Sequence, residues 1–190
     1  EEDGSFSQYS TNYHRVMLDT YSMVNIWRRQ WNLEPFSSEL SKRVGAATQW
    51  LFCMTNPLNG DAPNVGANDG ARLLPLTATD YRDYRPSIYL ASMLYGSHAL
   101  YPPEEDSLDQ LRWVGLHLEK DQQTPPASPS SKIFKNGGYA VLKNSKASLV
   151  LKFPAFRFRP SHSDGLHLDF WIDGDNLLRD GGTYSYNAEF

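Results

Sequence analysis

The chain has 190 residues, 40% hydrophobic and 21% charged, a balance that suits a folded globular protein and argues against disorder. Its formal net charge is -4 and its 18 Lys and Arg are scattered, so there is no basic stripe to grip a phosphate backbone, and nucleic acid is not an expected partner. No apolar run approaches the roughly 20 residues of a membrane helix, so a membrane is not an expected partner either.

Residues 10–32 carry the helical period: Val16, Met17, Tyr21, Val24, Trp27 and Trp31 recur at steps of three and four, which predicts a helix burying that stripe. A second helix is predicted after Pro35, with Ser37 or Ser38 as N-cap. It runs through Val44, Ala47, Leu51 and Met54 to a stop at Asn56-Pro57. Residues 59–72 hold too much Gly, Asn, Asp and Pro for regular structure and read as a long ordered loop, a kind of segment that often carries function. Asp83 with Pro86 starts a third helix carrying Ile88, Leu90, Ala91, Leu94 and Tyr95 toward Gly96, and a weaker helical piece covers 107–118. Across the Pro- and Ser-rich segment 121–131 the hydrophobic period changes from about 3.6 to about 2. Residues 139–143, 148–153, 166–172 and 176–179 then read as strands, joined by turns at 143–146 and 173–175. The expected organisation is α+β: a helical portion over 1–120, a linker over 121–131 and antiparallel sheet over 132–190. In 166–172 the alternation sets Leu166, Leu168, Phe170 and Ile172 on a packing face, and His167, Asp169 and Trp171 on a polar one.

Three groups of residues have chemical potential. Residues 3–15 gather aromatic and polar side chains at a helix start, where either a cap with a packed Tyr13 or a working site explains them. In the loop, Asn68, Asp69 and Arg72 either close an Asx turn with a local Asp-Arg pair or line a cleft, where Arg72 would meet a carboxylate or sulfate through its fork of donors. The third group is His162, Asp164, His167, Asp169 and Asp180, which read either as contributors to a metal site or as solvated charges at a sheet edge. The aromatic content of 13% suits stacking on sugar faces as well as core packing. The single Cys53 sits in the apolar stretch 50–54, as a buried inert thiol would, and excludes an intrachain disulfide. There is no Gly-x-Ser-x-Gly elbow, His-Glu-x-x-His, Gly-x-x-x-x-Gly-Lys or Cys cluster, which removes the commonest hydrolase, zincin and nucleotide readings.

The run Asp3-Gly4-Ser5 to Gln8, Ser10 and Tyr13-His14, then Pro63-Asn64 to Asn68-Asp69-Gly70, then His162-Ser163-Asp164-Gly165-Leu166-His167-Leu168 with Leu177-Leu178-Arg179-Asp180-Gly181-Gly182-Thr183-Tyr184-Ser185-Tyr186, resembles the heparinase II/III family of polysaccharide lyases. The His-x-Asp-x-Leu-His to Asp-x-Gly-x-Tyr part is the most specific. The resemblance implies an α/α toroid followed by an antiparallel β-sandwich, with this chain an internal fragment holding the last toroid helices and the first sandwich strands. It also implies a periplasmic or secreted enzyme acting on an acidic, uronate-containing polysaccharide by β-elimination. The competing readings are a non-catalytic carbohydrate-binding member and a glycoside hydrolase on a related toroid, which would need two carboxylates; Asp69 and Asp83 are available.

By the same resemblance Tyr13 is the catalytic proton carrier, with His14, Asn68, Asp69 and Arg72 on the substrate side. A free Tyr titrates near pH 10, so acting as base needs nearby positive charge, with His14 and Arg15 the adjacent candidates; acting as acid needs none. His162 and Asp180 match ligands of a structural zinc or other divalent ion. Two ligands hold an ion poorly, so the site is expected to be incomplete within this chain. The family's carboxylate-neutralising Asn or His is not found here either, and the isolated chain is expected to be inactive.

Overall fold

The computed structural model describes residues 1–96, 98–102, 104–117, 130–154, 156–157, 162 and 164–182. Most of the predicted linker lies outside these residues. Four helices, α1 (Thr11–Gln30), α2 (Ser38–Met54), α3 (Arg85–Tyr95) and α4 (Glu105–Trp113), precede five strands, β1 (Lys132–Phe134), β2 (Tyr139–Lys143), β3 (Ala147–Lys152), β4 (Leu168–Ile172) and β5 (Asp175–Leu178). The fold is α+β, with the strands in one antiparallel meander ordered β1-β2-β3-β4-β5.

The first two helices start at serine caps. Ser10, in extended conformation, accepts the Tyr13 N–H at 3.0 Å with its Oγ, and Ser37 does the same for Leu40 at 3.2 Å. The third helix starts two residues later than Asp83: Asp83 Oδ1 takes the Arg85 N–H from outside the helix, and Pro86 occupies the first turn. α3 is the central helix. Ile88, Leu90 and Ala91 are fully buried, and each of the two larger side chains adds roughly 1.5–3 kcal/mol of burial.

The face that α1 buries differs from the expected one. Its buried residues are Thr11, Asn12, His14, Arg15, Leu18, Asp19, Ser22 and Ile26, whereas Val16, Met17, Tyr21 and Val24 are half-buried and Trp27 and Trp31 are exposed. A polar face goes inward because the connection between α2 and α3 supplies partners for it, as described below.

The sheet shows a similar inversion. Alternation puts Phe134, Tyr139, Val141, Val150, Lys152, Asp169 and Trp171 on the face that meets the helices. Trp50 of α2 packs edge-on against Phe134 and Tyr139, with centroids at 6.2 and 5.1 Å, which merges helices and sheet into one core. Leu168, Phe170 and Ile172, expected to pack, lie on the outer face, and Leu166 is exposed. Asp169 can go inward because Trp171 Nε1 donates to its Oδ1 and Asn176 Nδ2 donates to it at 3.2 Å. The β4–β5 turn uses Asp173 and Gly174, at φ of 47° and 95°, the left-handed pair that a tight hairpin requires.

The Asp3-Gly4-Ser5 motif is a brace between helices and sheet. Asp3 accepts the Ser5 N–H and hydroxyl and, through Oδ2, the Asn136 N–H at 2.7 Å in the β1–β2 turn. Burial raises the Asp3 pKa, but these hydrogen bonds outweigh it and hold the carboxyl below its ordinary value.

Candidate active site

The first turn of α1 and loop 59–72 are built against each other. Ser10 Oγ, already the cap, donates to Ala67 O at 2.6 Å, and Thr11 N donates to Val65 O at 3.1 Å. Gly66 sits at φ 74° under Tyr9, where a Cβ would collide with Tyr9 O and Ser10 Cα; only glycine fits this approach. The β3–β4 connection closes the third side. Asp164 accepts the Gly66 N–H at 2.8 Å with Oδ2 and the Lys152 ammonium with Oδ1, and Lys152 Nζ also reaches Tyr9 O at 3.3 Å. Both charges are buried, so this clasp ties helix, loop and sheet at one point.

At that junction Tyr13 OH donates to Asp69 Oδ2 at 2.6 Å. Asp69 is exposed, and its pKa is lowered, first by the Tyr13 hydrogen bond and further by the Ala71 N–H on Oδ1. The carboxylate pairs with the tyrosine and not with Arg72, which corrects the local Asp-Arg pair considered for the loop. Arg72 folds back instead, donating to Thr79 O at 3.1 Å, Thr77 Oγ1 at 3.0 Å and Thr79 Oγ1 at 3.2 Å. Asn68 is a brace: its Nδ2 donates to Asn64 Oδ1 at 2.8 Å, and its Oδ1 accepts the Gly70 N–H and the Tyr81 hydroxyl.

His14 does not face the Tyr13–Asp69 pair, which corrects its assignment to the substrate side. Its ring is fully buried, stacked on Trp50 at 4.4 Å between centroids, and Nε2 donates to Ala47 O at 2.8 Å. Burial pushes its pKa down to about 4, so it is neutral at pH 7 and brings no positive charge to Tyr13. Arg15 is buried too. It donates to Tyr81 O, to Asn12 Oδ1 at 2.8 Å and to Ala71 O, while its guanidinium stands 4.6 Å from the ring centroids of both Tyr81 and Tyr84.

The sequence reading missed Tyr81, Asn12 and Asn64. Tyr81 OH, 2.8 Å from Asn12 Oδ1 and 2.6 Å from Asn68 Oδ1, links the helix to the loop. Nothing in the spacing of Tyr81 marks it; Asn12 and Asn64 lay within the motifs, and only their neighbours drew attention. The carboxylate pair weighed for a hydrolase is not formed, because Asp83 is nearly buried and held by Arg85 through Nε at 2.9 Å and a terminal nitrogen at 2.7 Å.

His162 is carried on the connection that Asp164 anchors, two residues away. Asp180 Oδ1 accepts the Gly182 N–H at 2.6 Å and faces a cleft shared with Asp61, Asn64, Arg82 and Arg179. Among the described residues no three His, Cys, Asp or Glu side chains gather as a metal would need, and Asp180 shares its cleft with Arg179 and the Arg82–Asp61 ion pair. Ser161, Ser163 and residues 183–190 of the motif lie outside the described residues.

Residues 126–189, about a third of the chain, match the family model "Heparinase II/III-like, C-terminal". No curated protein matches significantly. Among solved structures, heparinase III, the BT4657 gene product, superposes with a TM-score of 0.62 at 21% identity, over 99% of this chain and 27% of that one. Its form with methylated lysines gives 0.60 at 19% identity, over 99% and 26%. These likenesses show the fold, and the chain spans about a quarter of the length of the structures it matches. No helix among the described residues is long and apolar enough to cross a membrane.

Proposed function

We propose that the complete protein is a polysaccharide lyase that cleaves a uronate-containing, acidic polysaccharide by β-elimination, in the periplasm or after secretion. The heparinase II/III-like region supports the lyase class. The observation that carries the chemistry is the Tyr13–Asp69 hydrogen bond at the helix–loop–sheet junction.

β-Elimination removes the C5 proton of the uronate and expels O4, which must leave with a proton. The Asp69 carboxylate keeps Tyr13 in its phenol form, because a phenolate beside it would be repelled. Tyr13 therefore serves as the acid that protonates O4, while a base supplied elsewhere in the complete protein takes the C5 proton, and the phenolate so formed regains a proton from solvent beside the exposed Asp69. Ser10, Asn68 and Tyr81 hold the pair in place. A preset donor of this kind contributes on the order of 10² to 10⁴ in rate.

The test is Tyr13→Phe in the complete protein, followed through the ultraviolet absorbance of the unsaturated uronate product. We expect kcat to fall by about 10² to 10⁴ with substrate binding retained. A lost structural hydrogen bond alone would cost only about 1 kcal/mol of stability. Retention of more than about a tenth of the wild-type rate removes Tyr13 from the chemistry. Saccharide binding with no product in the wild type would favour a non-catalytic carbohydrate-binding protein.

A further inference from the structure

Away from the Tyr13 junction, at the other end of β3, a cavity of about 530 Å³ opens between the C-terminal end of α2 and the β2–β3 turn. This volume is within the usual range for a small-ligand site. Its working surface is Asn56, Leu58, Lys143, Lys146, Ser148 and Trp171. Strand geometry puts it roughly 16 Å from the Lys152 clasp, counting five residue steps along β3 at about 3.3 Å each.

Three features of its chemistry point the same way. Two lysines line the cavity and no carboxylate does, in a chain whose net charge is -4. Lys143 Nζ spends one proton on Thr55 O, the C-cap carbonyl of α2, at 2.7 Å, which leaves two donor positions. Burial lowers its pKa to about 8, and the opposing influence comes only from Cys53, so no carboxylate offsets its charge. Trp171, buried behind the cavity, backs its floor, and its ring is fixed by its Nε1 bond to Asp169. The walls are also fixed, since Asn59 Nδ2 donates to Gly174 O at 3.0 Å across the rim and Asn56 Oδ1 accepts the Leu58 N–H.

We infer that this cavity is a second binding site, separate from the Tyr13 junction, for an anionic sugar unit whose carboxylate or sulfate pairs with Lys143 and Lys146. The choice of a sugar as carrier rests on the acidic-polysaccharide reading above, while the anion pairing does not. A saccharide held here and at the junction would be bound at two points.

The experiment is ligand protection of lysine acetylation in the complete protein, read by peptide mass spectrometry at Lys143 and at the exposed Lys42 as control. Probes are D-glucuronate, inorganic sulfate and D-glucose at matched ionic strength. We expect glucuronate to slow Lys143 labelling saturably and at lower concentration than sulfate, with glucose inert and Lys42 unaffected. Lys146→Gln, an exposed substitution, should raise the half-protecting concentration about two- to fivefold. Protection by sulfate equal to or better than that by glucuronate overturns the sugar carrier and leaves an inorganic-anion site. No protection beyond glucose, or equal protection of Lys42, overturns the site altogether. None of these readouts uses turnover, so a missing site and a missing lyase activity are told apart.

Discussion

At the scale of single residues, position in the fold separates chemistry from support. Tyr13 and Asp69 meet in the open, while their sequence neighbour His14 is buried against Trp50 and Arg72 is held by Thr77 and Thr79. Arg72→Ala in the complete protein should then lower stability by about 1–2 kcal/mol, from the loss of hydrogen bonds made by a charged group, and leave KM within about twofold. A KM raised tenfold or more would return Arg72 to the substrate side. Two buried titratable groups of α1, His14 and Asp19, oppose each other in pH dependence. The folded pKa of His14, about 4, lies below its ordinary 6.5, so its contribution is present above pH 6.5 and lost as pH falls through 4. Burial raises Asp19 from 3.8 to about 6, against hydrogen bonds and the charges of Arg15 and Arg72; its contribution is present below 3.8 and lost as pH rises through 6. Each effect is worth about 3 kcal/mol, so they largely cancel between pH 4 and 6. Tm measured across that window should be nearly flat in the wild type, fall on acidification in Asp19→Asn, and fall with rising pH in His14→Gln. Unchanged slopes in both variants would show that neither group governs acid stability.

Among elements, the Lys152–Asp164 clasp and the Gly66 approach hold the loop to the sheet and to α1. Asp164→Asn leaves the Lys152 ammonium buried without a counter-charge, which should cost about 3–5 kcal/mol in urea unfolding. Lys152→Met with Asp164→Leu should recover much of that loss, because the desolvation penalty is removed along with the attraction. If the double variant is as unstable as the single one, the Gly66 and Tyr9 hydrogen bonds are the larger part of the clasp. Gly66→Ala places a Cβ against the backbone of Tyr9 and Ser10 at a φ that L residues disfavour, and should destabilise the junction by more than the roughly 1 kcal/mol of an ordinary Gly-to-Ala conformational effect.

For the whole molecule, helices and sheet share one core through Trp50, Phe134 and Tyr139, and the Asp3 brace crosses the same boundary. Far-ultraviolet circular dichroism, which reads α1–α4, and tryptophan fluorescence, which includes Trp171 of the sheet, should therefore unfold with coincident midpoints. Separated midpoints would show that the Trp50 contact does not couple the two parts.

Local chemistry was enough to place most elements of this chain: α2 is bounded by the Ser37 cap and Asn56-Pro57, and the edges of β2 follow from alternation before the 143–146 turn. Short-range signals missed β1, a three-residue strand whose only regular partner among the described residues is β2. Alternation and helical period also gave the right spacing and the wrong faces, on β4 and on α1. Those signals count apolar residues, whereas the faces were chosen by distant polar partners: Asn176 and Trp171 for Asp169, and Tyr81 and Ala71 for Arg15. The motifs brought Tyr13, Asn68 and Asp69 to attention, but the hydrogen bond joining Tyr13 to Asp69 spans 56 residues of sequence and exists only because Ser10, Gly66 and Asp164 draw the loop onto the start of α1.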